Sequence, residues 1–337
     1  MHDWNSRVLD LVRRRTPAVV VTVCAAQGSA PRDPGAKMVV TDDDQFGSIG
    51  GGALELEATL RARALLDNPQ PGIVFEDYPL GPALGQCCGG HVRVGFDLLT
   101  KDDADWLTEA AKTISEGGAV ILETALRNSP DKESARRLFP IKSDEDAPSV
   151  CFLDADGAPF ADAMPPLEAC AALRERLADE RPQVYLFGAG HVGCAMAHIL
   201  ETLPVNTIWI DRREDQFPNE CGAGVVIDCT DLETERVKAA PAGASYFVLT
   251  HSHQLDYDLV KAILERDDAA YCGLIGSKTK RARFEQRLRR AGLDEEKIGV
   301  LVCPIGGGGL QNKAPGVIAI AAIHEMLLAC EARLKEN

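Results

Sequence analysis

The sequence predicts an α/β protein in two domains, the second built on a doubly wound parallel sheet, and three observations predict it. The first is the stretch from Gln183 to Asp211, where the apolar run Val184-Tyr-Leu-Phe187 leads into Gly188-Ala-Gly190-His191-Val-Gly193 and then Cys194-Ala-Met-Ala-His-Ile-Leu200. That order reads as strand, tight turn and helix. Gly188 permits the turn, Gly190 lets a ligand's phosphates approach the backbone, and Gly193 lets the helix pack closely on the strand, with an anion at the helix N-terminus. The second observation is another strand, Asn206-Thr-Ile-Trp-Ile210, ending on Asp211 about twenty residues on, where an acid accepts from a ribose hydroxyl. The third is the series of separate apolar strands that follows, 223–228, 245–249, 270–275 and 298–302, with helical segments between them. This is the alternation of a Rossmann-like sheet.

The N-terminal α/β domain is expected over residues 1–165. Val8 to Val12 have apolar positions at helical spacing, and Arg13-Arg-Arg15 closes that helix in accord with its dipole. Ala18-Val-Val-Val-Thr-Val-Cys-Ala25 is a β-branched, buried strand. It leads into a loop from Gln27 to Ala36 whose glycines and prolines forbid regular structure and leave Arg32 amid exposed backbone amides. Lys37–Thr41 and Gln45–Gly47 form a hairpin about Asp42-Asp-Asp44, and Gly47-Ser-Ile-Gly50-Gly51-Gly52 then feeds an amphipathic helix from Ala53 to Leu66. Three successive glycines either present open amides to an anion or a carbonyl-rich ring, or let the helix pack tightly on the sheet. Ile73–Tyr78 and His91–Leu99 are strands, and between them stands Gly85-Gln-Cys87-Cys88-Gly-Gly90. Buried free cysteines are common core residues, but the flanking glycines describe a loop with an accessible thiol. A helix over Asp102–Ser115, a strand over Ala119–Ala125, polar surface over 128–147 and a strand over Ser149–Leu153 follow. From Pro165 the composition turns to Ala, Glu and Arg, which predicts a linking helix over 166–181 before the second domain at 182–337.

Composition bounds the function. The chain has 337 residues, 45% apolar and 26% charged, enough for two domains with a sizeable core. No long uncharged apolar run and no basic-then-apolar N-terminus are read, so the expected place is the cytoplasm. The eleven cysteines are irregularly spaced and lack any C-x-x-C, which argues for free thiols, metal or sulfur chemistry instead of a disulfide framework. A net charge of −15 opposes nucleic acid and anionic membranes as partners.

Three loops at the C-terminal strand ends of the second domain carry chemistry. Thr250-His251-Ser-His253-Gln-Leu-Asp256 is either a zinc-ligand cluster or a set of hydrogen-bonding groups. In Gly276-Ser277-Lys278, Ser277 caps the next helix, whose N-terminus with Lys278 makes an anion site. The far arginines of that helix, Arg287, Arg289 and Arg290, read as a solvated face. Cys303-Pro-Ile-Gly306-Gly-Gly-Gly309 lets a ring lie against backbone or serves a tight crossover.

The segments 28–38, 47–55, 86–90, 188–193, 250–256, 273–278 and 303–306, in this order and spacing, closely resemble the XdhC/CoxI family, nearest its XdhC branch. The resemblance implies a molybdenum cofactor (molybdopterin) chaperone without metabolic turnover of its own. Such a protein protects the cofactor, supports its sulfuration with a cysteine desulfurase, receives it from cofactor-synthesis proteins and delivers it to the molybdenum-binding subunit of apo xanthine dehydrogenase. Arg32, Lys37 and Gly50–Gly52 match the family's N-terminal signature, and Cys87 and Cys88 match its cysteine pair, expected near the molybdenum. The Gly306–Gly309 run and Ile323-His-Glu325 depart from the carbon monoxide dehydrogenase branch. A homodimer is the default expectation. The rival reading is an NAD(P)-dependent oxidoreductase using the Gly188 loop and Asp211, with Arg212 and Arg213 favouring a 2′-phosphate, so a nucleotide in the Rossmann-like domain is kept open.

Overall fold

The computed structural model describes residues 4–81, 89–126, 136–141, 147–179, 181–222, 224–307, 310 and 312–336, without the side chains of 4–6 and 334–336. The chain divides into two compact units, residues 1–180 and 181–337.

The N-terminal unit is built on two antiparallel sheets. Helix α1 (Trp4–Arg13) buries Val8, Leu9 and Val12, and its partners are strands β1 (Ala18–Gln27) and β2 (Lys37–Val40) with helix α3 (Ala104–Ser115). Strands β3 (Gln45–Gly47), β4 (Val74–Pro79) and β5 (His91–Leu99) complete a five-stranded sheet in the order β3-β2-β1-β5-β4. Helix α2 (Gly52–Asp67) covers one face of it with Leu54, Ala58, Ala62 and Leu65.

The second sheet, in the order β7-β6-β9-β8, holds β6 (Ala119–Ala125), β7 (Arg136–Ile141), β8 (Val150–Leu153) and β9 (Ala172–Ala178). In the span 128–147, read as polar surface, residues 136–141 are half-exposed or exposed as expected, but they form the edge strand β7. One expectation fails here: the linking helix over 166–181 is instead a short 3₁₀ turn (Leu167–Ala169) followed by β9. Ala, Leu, Arg and Glu favour helices, but the burial of Leu173, Glu175 and Leu177 alternates with the half-exposure of Arg174 and Arg176. Period two, with β6 and β8 waiting on either side, overrides a propensity worth tenths of a kcal/mol per residue, roughly. The N-terminal unit therefore runs past residue 165 and includes β9.

The C-terminal unit has a six-stranded parallel sheet. Its elements are β10 (Gln183–Phe187), α4 (His191–Leu200), β11 (Asn206–Asp211), β12 (Val225–Cys229), α5 (Glu233–Ala239), β13 (Ser245–Val248), α6 (His253–Arg266), β14 (Tyr271–Leu274), α7 (Lys278–Arg290), α8 (Glu295–Gly299), β15 (Leu301–Val302) and α9 (Pro315–Glu336). The strand order is β12-β11-β10-β13-β14-β15 and every pairing is parallel. The order reverses between β10 and β13, which is where such sheets bind ligands. The strand expected over 298–302 is only its last two residues, because Asp294 caps α8 across Ile298. Residues 315–333 of α9 are long and apolar enough, by length and composition, to cross a membrane. In this fold Ala319, Ala322, Ile323 and Met326 are buried in the core layer shared with α4.

Candidate functional site

At the sheet's switch point the three glycines have three separate jobs. Gly188 sits at φ +117°, and a Cβ there would collide with the carbonyl of Leu249, so the loops after β10 and β13 are in backbone contact. A Cβ on Gly193 would strike the carbonyl oxygen of Gly188, which is how α4 comes close to the sheet; that same oxygen accepts from the Trp209 indole at 3.0 Å. A Cβ on Gly190 would meet nothing within 4 Å, and its neighbour His191 is exposed at the start of α4.

Asp211 departs from expectation. It is 4% exposed. Its Oδ2 accepts the Ala189 amide at 2.8 Å and the Arg213 guanidinium at 2.7 Å, while Oδ1 accepts the Arg213 amide and Nε, each at 3.0 Å. A carboxylate has about four acceptor positions. All are occupied, so Asp211 is not a ready ribose acceptor. Burial alone would raise its pKa, but the Arg213 and amide hydrogen bonds outweigh it and hold the carboxyl at about 2. Arg212 is paired with buried Glu233 at 2.8 Å, so neither arginine is waiting for a 2′-phosphate.

The loop after β13 corrects the zinc reading. Ser252 caps α6 by accepting from the Leu255 amide, and His251 and His253 are exposed. Asp256 turns inward instead, 1% exposed, and accepts Thr250 N at 3.1 Å, Thr250 Oγ1 at 2.7 Å and Lys280 Nζ at 2.6 Å. Lys280 also donates to the Ile275 carbonyl at 2.9 Å, tying the loops after β13 and β14 together. Among the described residues no group of three or more His, Cys, Asp or Glu could hold a metal. Ser277 does cap α7, accepting Lys280 N at 3.2 Å, and Lys278 is exposed as the helix's first residue. In the last glycine loop, Glu325 Oε2 accepts Gly306 N at 2.8 Å and the Tyr271 hydroxyl at 3.3 Å.

Three sequence motifs of the N-terminal unit converge. Gly50 (φ +129°) lies against Pro31 of the Arg32 loop, where a Cβ would sit 2.5 Å from the proline ring. Gly90 packs on the backbone of Gln27 and Ser29, too closely for any side chain. Arg32 is exposed beside this junction. Cys87 and Cys88 lie outside the described residues. Two of the three glycine amides expected to be open are not: Gly50 N donates to Ser48 Oγ at 3.1 Å, and Glu55, from the first turn of α2, accepts the Gly51 amide at 3.0 Å together with the Ile49 amide at 3.0 Å and Ser48 Oγ at 2.7 Å. Partial burial works against its charge, yet the Ser48, Gly51 and Ile49 hydrogen bonds keep its carboxyl below the usual range. Gly52 begins the helix, exposed. Lys37, also expected to face a ligand, is buried in an ion pair with Glu175 and donates to Thr22 Oγ1 at 2.8 Å.

One device thus recurs in four loops. Glu55, Asp211, Asp256 and Glu325 each hold a loop amide with a carboxylate of the chain itself. None was singled out from sequence for that role; the only signal is an acid a few residues, or one element, beyond each loop.

The match to family models covers both units: residues 11–78 match the XdhC and CoxI family and residues 184–326 the XdhC Rossmann domain. An uncharacterized protein of Escherichia coli (strain K12), YqeB, is 29% identical over 148 residues, 44% of this chain, and the match spans 27% of its length. A protein of Bacillus subtilis (strain 168), named as a probable subunit of xanthine dehydrogenase, is 21% identical over 297 residues, 84% of this chain and 87% of that one. A crystal structure named as a xanthine dehydrogenase from Bacillus halodurans shares the fold with a TM-score of 0.69 at 20% identity, over 98% of this chain and 96% of that one. With the two domains in order and the glycine motifs in the places just described, the chain belongs to the XdhC and CoxI family.

Proposed function

We propose that this protein acts in the maturation of xanthine dehydrogenase, as a chaperone that binds molybdenum cofactor, protects it, supports its sulfuration and delivers it to the apoenzyme. Family membership and relatives named for xanthine dehydrogenase support the maturation role. The observation that carries the choice over an oxidoreductase is the saturated Asp211 carboxylate, which leaves no acceptor for the ribose that a dehydrogenase must hold. A cysteine desulfurase is the sulfur source on this reading, cofactor-synthesis proteins are the donors, and the working form is a cytoplasmic homodimer.

The residues fit a cargo made of a hydrogen-bonding pterin, a phosphate and a dithiolene-bound metal. Arg32 and Lys278 are exposed cations outside every ion pair formed among the described residues. Lys278 with the capped start of α7 suits a phosphate. Arg32 lies where three tightly packed loops meet. The cargo supplies the metal chemistry; this chain binds it and excludes water and oxygen.

The test is incubation with isolated cofactor, gel filtration and conversion of bound pterin to its fluorescent oxidised form, with NAD and NADP in parallel. Near-stoichiometric pterin without nicotinamide is expected. Nicotinamide without pterin would overturn the reading.

A further inference from the structure

The fold sorts the cations of α7 into two sets. Lys280 is taken by buried Asp256, Arg281 by Glu285, and Arg289 by Glu285 and Glu295. Arg283, Arg287 and Arg290 stay exposed and form no ion pair among the described residues. Spaced i, i+4 and i+7, they share one side of the helix along about 10 Å of its length. Arg287 is also held in place: its guanidinium carbon lies 3.6 Å from the centroid of the Tyr257 ring, and Nη2 donates to Gln254 Oε1 at 3.0 Å. A guanidinium stacked in this way keeps further donors for a carboxylate and has little side-chain freedom left to lose.

The opposite charge lies in the other unit. Strands β2 and β3 pair from Met38 with Gly47 to Val40 with Gln45, and the turn that joins them holds Asp42, Asp43 and Asp44, all exposed. Asp44 is engaged within the turn, where its Oδ1 accepts Gln45 N at 2.8 Å. The carboxylates of Asp42 and Asp43 have no partner among the described residues. The same asymmetry holds for the units as a whole. Residues 1–180 carry 18 Lys and Arg against 30 Asp and Glu, net −12, whereas 181–337 carry 18 against 21, net −3. Two copies of a chain at −15 repel each other overall. At physiological salt that repulsion is screened beyond about 8 Å, and complementary charges in contact decide which surfaces meet. Like unit on like unit would bring the two strongly acidic halves together. Unlike units bring an acidic tip to a basic face.

We propose that the Arg283, Arg287 and Arg290 face of α7 docks the Asp42-Asp43 tip of a second copy of this chain, and that the contact is reciprocal. In a two-fold dimer tip meets face twice, so every ion pair is made in duplicate. Each exposed pair is weak alone, which makes the dimer modest in affinity and sensitive to salt. The inference rests on the homodimer included in the function proposed above and gives it an interface.

The test is sedimentation velocity on the purified full chain at about 0.1 M and about 1 M NaCl, between which the screening length falls from about 10 Å to about 3 Å. Wild type is expected to dimerise, with a dissociation constant at least tenfold higher at the higher salt. Arg283→Glu with Arg290→Glu, and separately Asp42→Lys with Asp43→Lys, are each expected to raise it at least tenfold at the lower salt. Mixing the two variants restores both contacts, since the tip of the first meets the arginines of the second and the reversed charges meet each other. A heterodimer of near wild-type affinity is therefore expected from two proteins that are each monomeric. All four positions are exposed, so thermal denaturation should be unchanged in both variants. A dimer indifferent to both variants, or no heterodimer in the mixture, would overturn the contact. A wild type that stays monomeric would overturn it too and leave the arginine face to an acidic surface of another protein. Pterin retention measured on the same samples separates the two readings. Cofactor retained by a monomeric wild type defeats this contact alone, and a mixture-rescued dimer that retains no cofactor defeats the chaperone reading alone.

Discussion

Arg213 folds back over Asp211, two residues earlier at the end of β11, and its guanidinium and amide take three of the four hydrogen bonds that the buried carboxylate accepts. The pair does the work that a ribose diol does in a dinucleotide-binding relative of this fold. NAD and NADP are therefore expected to bind wild-type protein more weakly than about 1 mM. Arg213→Ala keeps the backbone amide and vacates two acceptor positions, one on each carboxylate oxygen, and hydrogen bonds to charged groups are worth about 1.5–3 kcal/mol. Isothermal titration should then show NAD affinity rising by an order of magnitude or more; equal affinities in the two proteins would mean that Arg213 does not close the site.

Acid reaches this contact only below about pH 4. The Asp211 pKa is lower folded than unfolded, so its stabilisation is complete above the ordinary Asp value near 3.9 and is lost as pH falls from there through about 2. Asp211→Asn has no such group to titrate. Denaturant midpoints for the two proteins should differ at pH 6, draw together below about pH 4 and converge only near pH 2, and a difference that persists undiminished at the lowest pH would show that the ionised carboxylate is not what matters.

Glu55 holds the Gly50 loop from within. Glu55→Gln keeps its size but replaces a charged acceptor of several donors with an amide that must turn one donor toward them. A loss of about 1–3 kcal/mol is expected in the N-terminal unit, read by thermal denaturation. Ser48→Ala, which removes one of the donors, should cost less.

Lys37 and Glu175 join the two sheets of the N-terminal unit as a buried pair. Removing one partner leaves an uncompensated buried charge, about 3–5 kcal/mol, whereas replacing both by apolar residues of similar volume is often close to neutral. Lys37→Met and Glu175→Gln should each destabilise strongly in urea, and Lys37→Met with Glu175→Leu should recover most of the loss. If instead the single Lys37→Met protein is as stable as wild type but no longer binds cofactor, Lys37 serves the ligand after all.

The histidines of the H-x-H motif are exposed, and their acidic companion faces Lys280. His251→Ala with His253→Ala should change neither metal content nor stability beyond about 0.5 kcal/mol. Asp256→Asn breaks a buried pair and should cost several kcal/mol, roughly. Loss of one zinc per chain in the histidine variant would reinstate a metal site.

Much of the second unit is legible in the sequence because its signals are local. Gly188 and Gly193 stand where no Cβ can, and Ser277 lies one residue before the helix that it caps. β9 shows the opposite case. Its Ala-Leu-Arg-Glu-Arg-Leu-Ala composition favours a helix on its own, and only β6 and β8, brought from earlier in the chain, make the strand the better state. The site residues divide in the same way. Gly190, His191 and Lys278 are exposed where the motif spacing puts them. Lys37 is not, because its partner Glu175 lies 138 residues away.

The sequence by itself determined the α/β class, the doubly wound C-terminal sheet, the glycine turns and the family, since each rests on residue types at short, fixed spacing. Only the tertiary structure decided which amides, cations and carboxylates remain available to a ligand. Glu55, Asp211 and Glu325 occupy amides of the glycine loops, and Asp256 does the same for the Thr250 loop. The reason is that burying a charge or an amide is costly unless it is paired. Where the chain itself brings a partner within reach, the folded state satisfies the pair internally, and spacing in a linear sequence does not say which partners come within reach.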